Sequence, residues 1–112
     1  MPNLPNDAHQ LRAAVVVNPT KIDQARLRTV LDAEERAQGW AGSLWFVTSA
    51  DDDGRAAARA ARDAHPSVVL VAGGDGTLRV VAEELRGTGT PVALVPSGTG
   101  NLFARNLGLP PR

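Results

Sequence analysis

Two short stretches of this 112-residue chain combine glycine with hydroxyl, amide or carboxylate side chains, and a third carries amide, hydroxyl and lysine groups without glycine. The densest is Gly73-Gly74-Asp75-Gly76-Thr77. Its glycines let the main chain turn sharply, adopt positive φ and come close to a ligand. A helix opening here would present free N–H groups suited to phosphate oxygens, and Thr77 would add a hydroxyl donor. A carboxylate beside phosphate is repulsive. Asp75 therefore makes sense if it contacts a ribose, orders water or approaches a metal ion. The plainer alternative is a tight strand–helix turn with Asp75 as the N-cap.

Pro96-Ser97-Gly98-Thr99-Gly100-Asn101 repeats this logic. The proline fixes the exit from an apolar run, and hydroxyl and amide groups follow at a helix start. A capped turn would use the same residue types. Asn18-Pro19-Thr20-Lys21 is a weaker third stretch. Asn18 could cap, and Lys21 could neutralise phosphate, although a lone lysine is more often simply solvated. Thr48 ends another apolar run and is weaker still. The Walker-type G-x-x-x-x-G-K-[ST] word is missing, as is the dinucleotide fingerprint G-x-G-x-x-G. Asp51, Asp52 and Asp53 read as capping for the helix that follows. Arg55, Arg59 and Arg62 read as a solvated helix face, and Trp40, Trp45, Phe46 and Phe103 as core or subunit contacts.

The elements that must position these loops alternate along the chain. Residues 13–18, 44–48, 68–72 and 92–95 are short, β-branched and apolar on both faces, which predicts buried strands of a parallel sheet. Helices are expected over 22–38, stopped by Gly39, over 54–64, over 77–86 and over 101–107. Strand and helix alternating four times imply a three-layer α/β/α, Rossmann-like domain with right-handed crossovers. The expected strand order is 2-1-3-4. All three loops then lie at the carboxyl edge of the sheet, where such folds bind ligands.

Composition narrows the function classes. Lys plus Arg and Asp plus Glu are 12 each, so there is neither a basic footprint for nucleic acid nor a polybasic surface for anionic lipid. There are no cysteines, and the two histidines, His9 and His65, are far apart in sequence. A cytoplasmic location fits. No apolar run approaches membrane-spanning length, so any membrane contact should be peripheral.

Taken together, Val17-Asn18-Pro19, Gly73-Gly74-Asp75-Gly76-Thr77 and Pro96-Ser97-Gly98-Thr99-Gly100-Asn101 with Phe103-Ala104-Arg105 resemble the catalytic domain of the diacylglycerol kinase family. That family includes bacterial lipid kinases and sphingosine kinases. The five-residue glycine word is shared with NAD kinases; the 96–108 segment is what looks like the lipid kinase branch. The resemblance implies an ATP site along this edge, with Asn18, Thr20, Thr48, Gly73, Gly74, Asp75, Gly76, Thr77 and Thr99 at nucleotide-contacting positions. It also implies Mg2+ with the phosphates, and transfer of the γ-phosphoryl group to a lipid hydroxyl such as that of diacylglycerol.

The chain departs from the family at Lys21-Ile22, where Ser-Gly is frequent, at Arg79-Val80, where Asn-Glu is frequent, and at Leu102, where aspartate is frequent. Family members also carry a second, β-rich domain that supplies the catalytic base and much of the lipid site. The expectation is therefore a nucleotide-binding half over 1–112, inactive alone, with sheet surface that could drive homo-oligomer formation. The alternatives are an NAD kinase-like enzyme and a non-catalytic nucleotide-binding module.

Overall fold

A computed structural model of the chain describes residues 10–95; the loop at 96–101, Thr99, Phe103 and the helix expected at 101–107 lie outside them. The elements are β1 (Ala13–Val17), α1 (Gln24–Gln38), β2 (Leu44–Val47), α2 (Arg55–Asp63), β3 (Val68–Ala72), α3 (Asp75–Leu85) and β4 (Val92–Leu94). The strands form one parallel sheet in the order β2-β1-β3-β4, as the sequence implies.

Alternation along β1 and β3 divides the core into two layers. Ala13, Val15 and Val17 with Val68, Leu70 and Ala72 face α1, where Leu27 and Leu31, with Trp40 just beyond the helix, cover them. Ala14 and Val16 with Val69 and Val71 face α2 and α3, which contribute Ala57, Ala58, Ala61, Val80, Val81 and Leu85. The alanines keep α2 close to the sheet. Two helices on one face and one on the other follow from right-handed crossovers through this strand order.

The expectation of four strands buried on both faces holds only for the central pair. β1 and β3 are buried throughout, whereas β2 and β4 are half-buried and end in exposed residues, Val47 at 51% and Leu94. Each of these two has a strand neighbour on one side only among the described residues.

Helix starts also differ from expectation. α1 begins two residues later than Ile22, because Asp23 is its N-cap and accepts from the Arg26 amide at 3.1 Å. α3 begins inside the glycine word, at Asp75, rather than at Thr77. Gly39, at φ +75°, ends α1 in the left-handed conformation that favours glycine. Arg55, Arg59 and Arg62 are partly exposed, as a solvated face would be, but they are not without partners. All three pair with the Glu84 carboxylate of α3, at 2.8, 3.3 and 3.0 Å, and Arg55 also holds Glu83 at 2.9 Å. The arginines lie on the side of α2 that meets α3, so they tie the two helices together. Among the described residues no helix is long and apolar enough to cross a membrane.

Candidate functional site

The strand ladders run one residue past β1, β2 and β4 and bring the loops together. The Asn18 amide donates to Ala72 O at 2.8 Å, the Thr48 amide to Val17 O at 2.9 Å and the Val95 amide to Val71 O at 2.8 Å. The exits of β1, β2, β3 and β4 therefore form one edge. β1 leads through α1 to its neighbour on one side, and β3 leads through α3 to its neighbour on the other. The chain thus diverges between Asn18 and Gly73, and a crevice at such a point is where open α/β sheets take ligands.

On the β1 side, Asn18 organises its own loop. Its Oδ1 accepts from the Thr20 amide at 3.1 Å and from the Thr20 hydroxyl at 2.7 Å, an Asx turn closed by the next residues. The Lys21 and Ile22 amides donate to Asn18 O at 3.0 and 3.2 Å. Thr20 and Lys21 are exposed at the edge.

On the β3 side, Gly73 is wedged between loops. A Cβ there would stand 3.2 Å from Asn18 Cβ, 3.3 Å from Thr77 Oγ1 and 3.4 Å from Thr77 Cβ. Gly74 and Gly76 have open space where a side chain would be. None of these three glycines adopts positive φ, contrary to expectation; Gly74, for instance, is extended at φ −97°, ψ −174°. Their role is closeness and openness, not left-handed backbone.

The plainer alternative, Asp75 as an N-cap, is not what forms. Gly74 is the N-cap, and no side chain caps α3. The first bond of the helix ladder runs from the Leu78 amide to Gly74 O at 3.1 Å, which leaves the amides of Asp75, Gly76 and Thr77 ahead of it. Asp75 is exposed, and its carboxylate has no hydrogen bond among the described residues. A carboxylate in the first turn is still favourable to the helix dipole. Thr77 is buried at 8% exposure.

The structure thus gathers Asn18, Thr20, Thr48, Gly73, Gly74, Asp75, Gly76 and Thr77 at one edge; Thr99 lies outside the described residues. One residue at this edge carries no sequence signal of its own. Gly54, the N-cap of α2, is buried with φ +92°, beside Thr48 and Thr77. Asp52 holds it there: Asp52 Oδ1 accepts from the Gly54 amide at 3.0 Å, and Oδ2 from the Ala56 amide at 2.9 Å. The aspartate run is therefore a cap, as its composition suggests, with Asp52 as the member that acts. These amides hold the Asp52 carboxyl below the usual aspartate range. No cluster of three metal-ligating side chains occurs among the described residues. Mg2+ binds through one or two carboxylates and takes its other ligands from phosphate and water, and Asp75 is one exposed carboxylate at this edge.

Comparison with known proteins agrees with this geometry. The family model described as "Diacylglycerol kinase catalytic domain" matches residues 12–112. A probable lipid kinase YegS-like of Pseudomonas syringae pv. syringae is 34% identical over 103 residues, 90% of this chain and 33% of that protein. A protein of the same description from Pseudomonas aeruginosa is 47% identical over 66 residues, 57% of this chain and 22% of its own. A diacylglycerol kinase of Mycobacterium tuberculosis is 48% identical over 42 residues, 38% of this chain and 14% of its own. The chain spans about a third of the length of the first of these relatives. With the family model covering nearly all of it, this chain belongs to the diacylglycerol kinase catalytic domain family.

Proposed function

We propose that this chain is the ATP-binding part of a lipid kinase. The observation that carries the reading is the opening of α3. Gly73 packs against Asn18 where the chain diverges, and the Asp75, Gly76 and Thr77 amides stand ahead of the helix ladder. Phosphate oxygens are the natural acceptors for such amides, and the bare Gly74 and Gly76 let them approach. Asn18, Thr20, Thr48 and Thr77 supply the hydroxyl and amide groups that fix the rest of the nucleotide, together with Thr99. Asp75 is the carboxylate for Mg2+, which when bound offsets charge on the β- and γ-phosphates.

In the proposed reaction a lipid hydroxyl attacks the γ-phosphorus, the bond to the β–γ bridging oxygen breaks, and ADP leaves. The hydroxyl proton goes to a base. We place that base, and most of the lipid site, in the part of the protein that corresponds to the rest of the longer relatives. The work of residues 10–95 is to hold and orient the phosphates, which is most of what phosphoryl transfer asks of a protein. Contact with the membrane is peripheral in this account.

The test is transfer of labelled γ-phosphate from ATP by the full-length protein, offered diacylglycerol vesicles or NAD. Mg2+-dependent label in the lipid supports the reading. Label in NAD would replace it with a dinucleotide kinase. ATP binding without transfer to either would make the domain a nucleotide-binding module. Residues 1–112 alone should transfer nothing above background.

A further inference from the structure

Gly54 stands where three elements meet: it caps α2, lies against Thr48 at the end of β2, and lies near Thr77 in the first turn of α3. A Cβ at this position would stand 3.0 Å from Thr48 Cγ2, 3.4 Å from Thr48 Cβ and 3.8 Å from Thr77 Cγ2. The first of these separations is tighter than most carbon–carbon contacts, so Thr48 would have to give by a few tenths of an ångström. Nor can the backbone easily swing away. Its amide is bound to Asp52 Oδ1 at 3.0 Å, and Gly54 O accepts from the Ala58 amide at 2.9 Å. Thr48 is fixed in turn through its amide bond to Val17 O.

A helix end does not by itself require this arrangement. Gly39 is also left-handed, at φ +75°, but has nothing within 4 Å of where its Cβ would be. Glycine at 39 answers only a backbone demand. Glycine at 54 answers that demand and a close approach to two threonines at the candidate nucleotide edge.

We propose that Gly54 is a positioning residue for that edge: its bare α-carbon sets where Thr48 and Thr77 stand, and through them the affinity for nucleotide. The affinity part rests on the ATP-binding reading above; the placement of the two threonines does not.

The experiment compares the wild-type 112-residue chain with Gly54→Ala, Gly39→Ala, Thr48→Ser and the double variant Gly54→Ala/Thr48→Ser. Three readouts are taken: threonine methyl NMR signals without ligand, calorimetric affinity for ATP with Mg2+, and thermal unfolding. Gly54→Ala and Gly39→Ala place alanine at positive φ, so both should unfold at lower temperature. Only Gly54→Ala should move the Thr48 and Thr77 methyl signals and weaken ATP binding, by roughly tenfold for a shift of a fraction of an ångström. Thr48→Ser removes the methyl that a Cβ at 54 would strike and keeps the hydroxyl, so the double variant should bind ATP about as well as Thr48→Ser alone, which is the reference for it.

Unmoved Thr48 and Thr77 signals in Gly54→Ala would overturn the proposal, as would an equal loss of affinity in Gly39→Ala. If Gly54→Ala does not fold but the double variant does, the contact with Thr48 is established. If neither folds while Gly39→Ala does, Gly54 is a folding requirement and the positioning role falls. If the wild type does not bind ATP, the functional reading fails, and the methyl signals still decide the placement.

Discussion

Gly73 and Asn18 touch across the two central strands: a Cβ on Gly73 would lie 3.2 Å from Asn18 Cβ, with Thr77 Oγ1 3.3 Å away on its other side. Gly73 directly follows β3 and Asn18 directly follows β1, and the Asn18 amide is bonded to Ala72 O. A side chain at 73 would therefore push the central exits apart, whereas side chains at 74 and 76 would enter open space.

This separates glycines that a sequence presents as equals. Gly73→Val should destabilise the fold by roughly 1–3 kcal/mol through overpacking. Gly76→Ala, within the first turn of α3, should be neutral or stabilise by up to about 1 kcal/mol. Gly74→Val and Gly76→Val should stay folded yet lose ATP, because their side chains fill the space left for phosphate. Thermal unfolding beside ATP titration of the four variants checks both halves. Equal destabilisation at all three positions would contradict this account.

Asp75→Asn keeps shape and removes charge. The Asp75 carboxylate makes no hydrogen bond among the described residues, so only its interaction with the helix dipole is lost, roughly 0.3–1 kcal/mol. Turnover of the full-length enzyme should nevertheless fall sharply, and its apparent affinity for Mg2+ with it. Unchanged turnover would remove Asp75 from the account.

Much of the fold is legible in the sequence. The apolar runs locate all four strands to within a residue, the alternation implies a parallel sheet, and the order is the expected 2-1-3-4. What is not legible is long-range. The three arginines of α2 have the spacing of an exposed face, and their partners, Glu83 and Glu84, lie on another helix. Crossover handedness puts α2 and α3 on one face and could have suggested the pairing. Gly54 offers no local clue, because its requirement comes from Thr48 and Thr77 on neighbouring elements. Positive φ was expected at 73–76 because glycine permits it; here glycine serves close packing instead.

The arginine cluster gives a signed pH prediction. The arginine hydrogen bonds hold the Glu83 and Glu84 carboxyls below the ordinary glutamate value of 4.5. Their contribution is present above that value and is lost as pH falls through the lowered one. Glu84→Gln should therefore lower the unfolding temperature at pH 7, and its difference from wild type should shrink once pH drops below 4.5. A difference that grows on acidification would contradict the pairing.

Glu35 should behave in the opposite sense. It is buried, at 7% exposure, with the Ser43 hydroxyl donating to its carboxylate. Burial raises its pKa above 4.5, outweighing that hydrogen bond. The folded state thus disfavours the charged form, and wild type should gain stability over Glu35→Gln as pH falls from the raised value towards 4.5. Paired denaturation curves from pH 7 to pH 4.5 test this; a wild type that loses ground over that range would refute it.

The central claim is that the exits of β1, β2 and β3 hold the phosphates of ATP. The most direct measurement is a titration of the isotopically labelled chain with ATP and Mg2+, followed through its backbone amide NMR signals. The account predicts saturable shifts at Asn18, Thr20, Thr48 and Gly73, Gly74, Asp75, Gly76 and Thr77, with Ser43, His65 and Gly87 at the opposite edge unmoved. Saturable shifts confined to that opposite edge, or none at millimolar ATP, would contradict it.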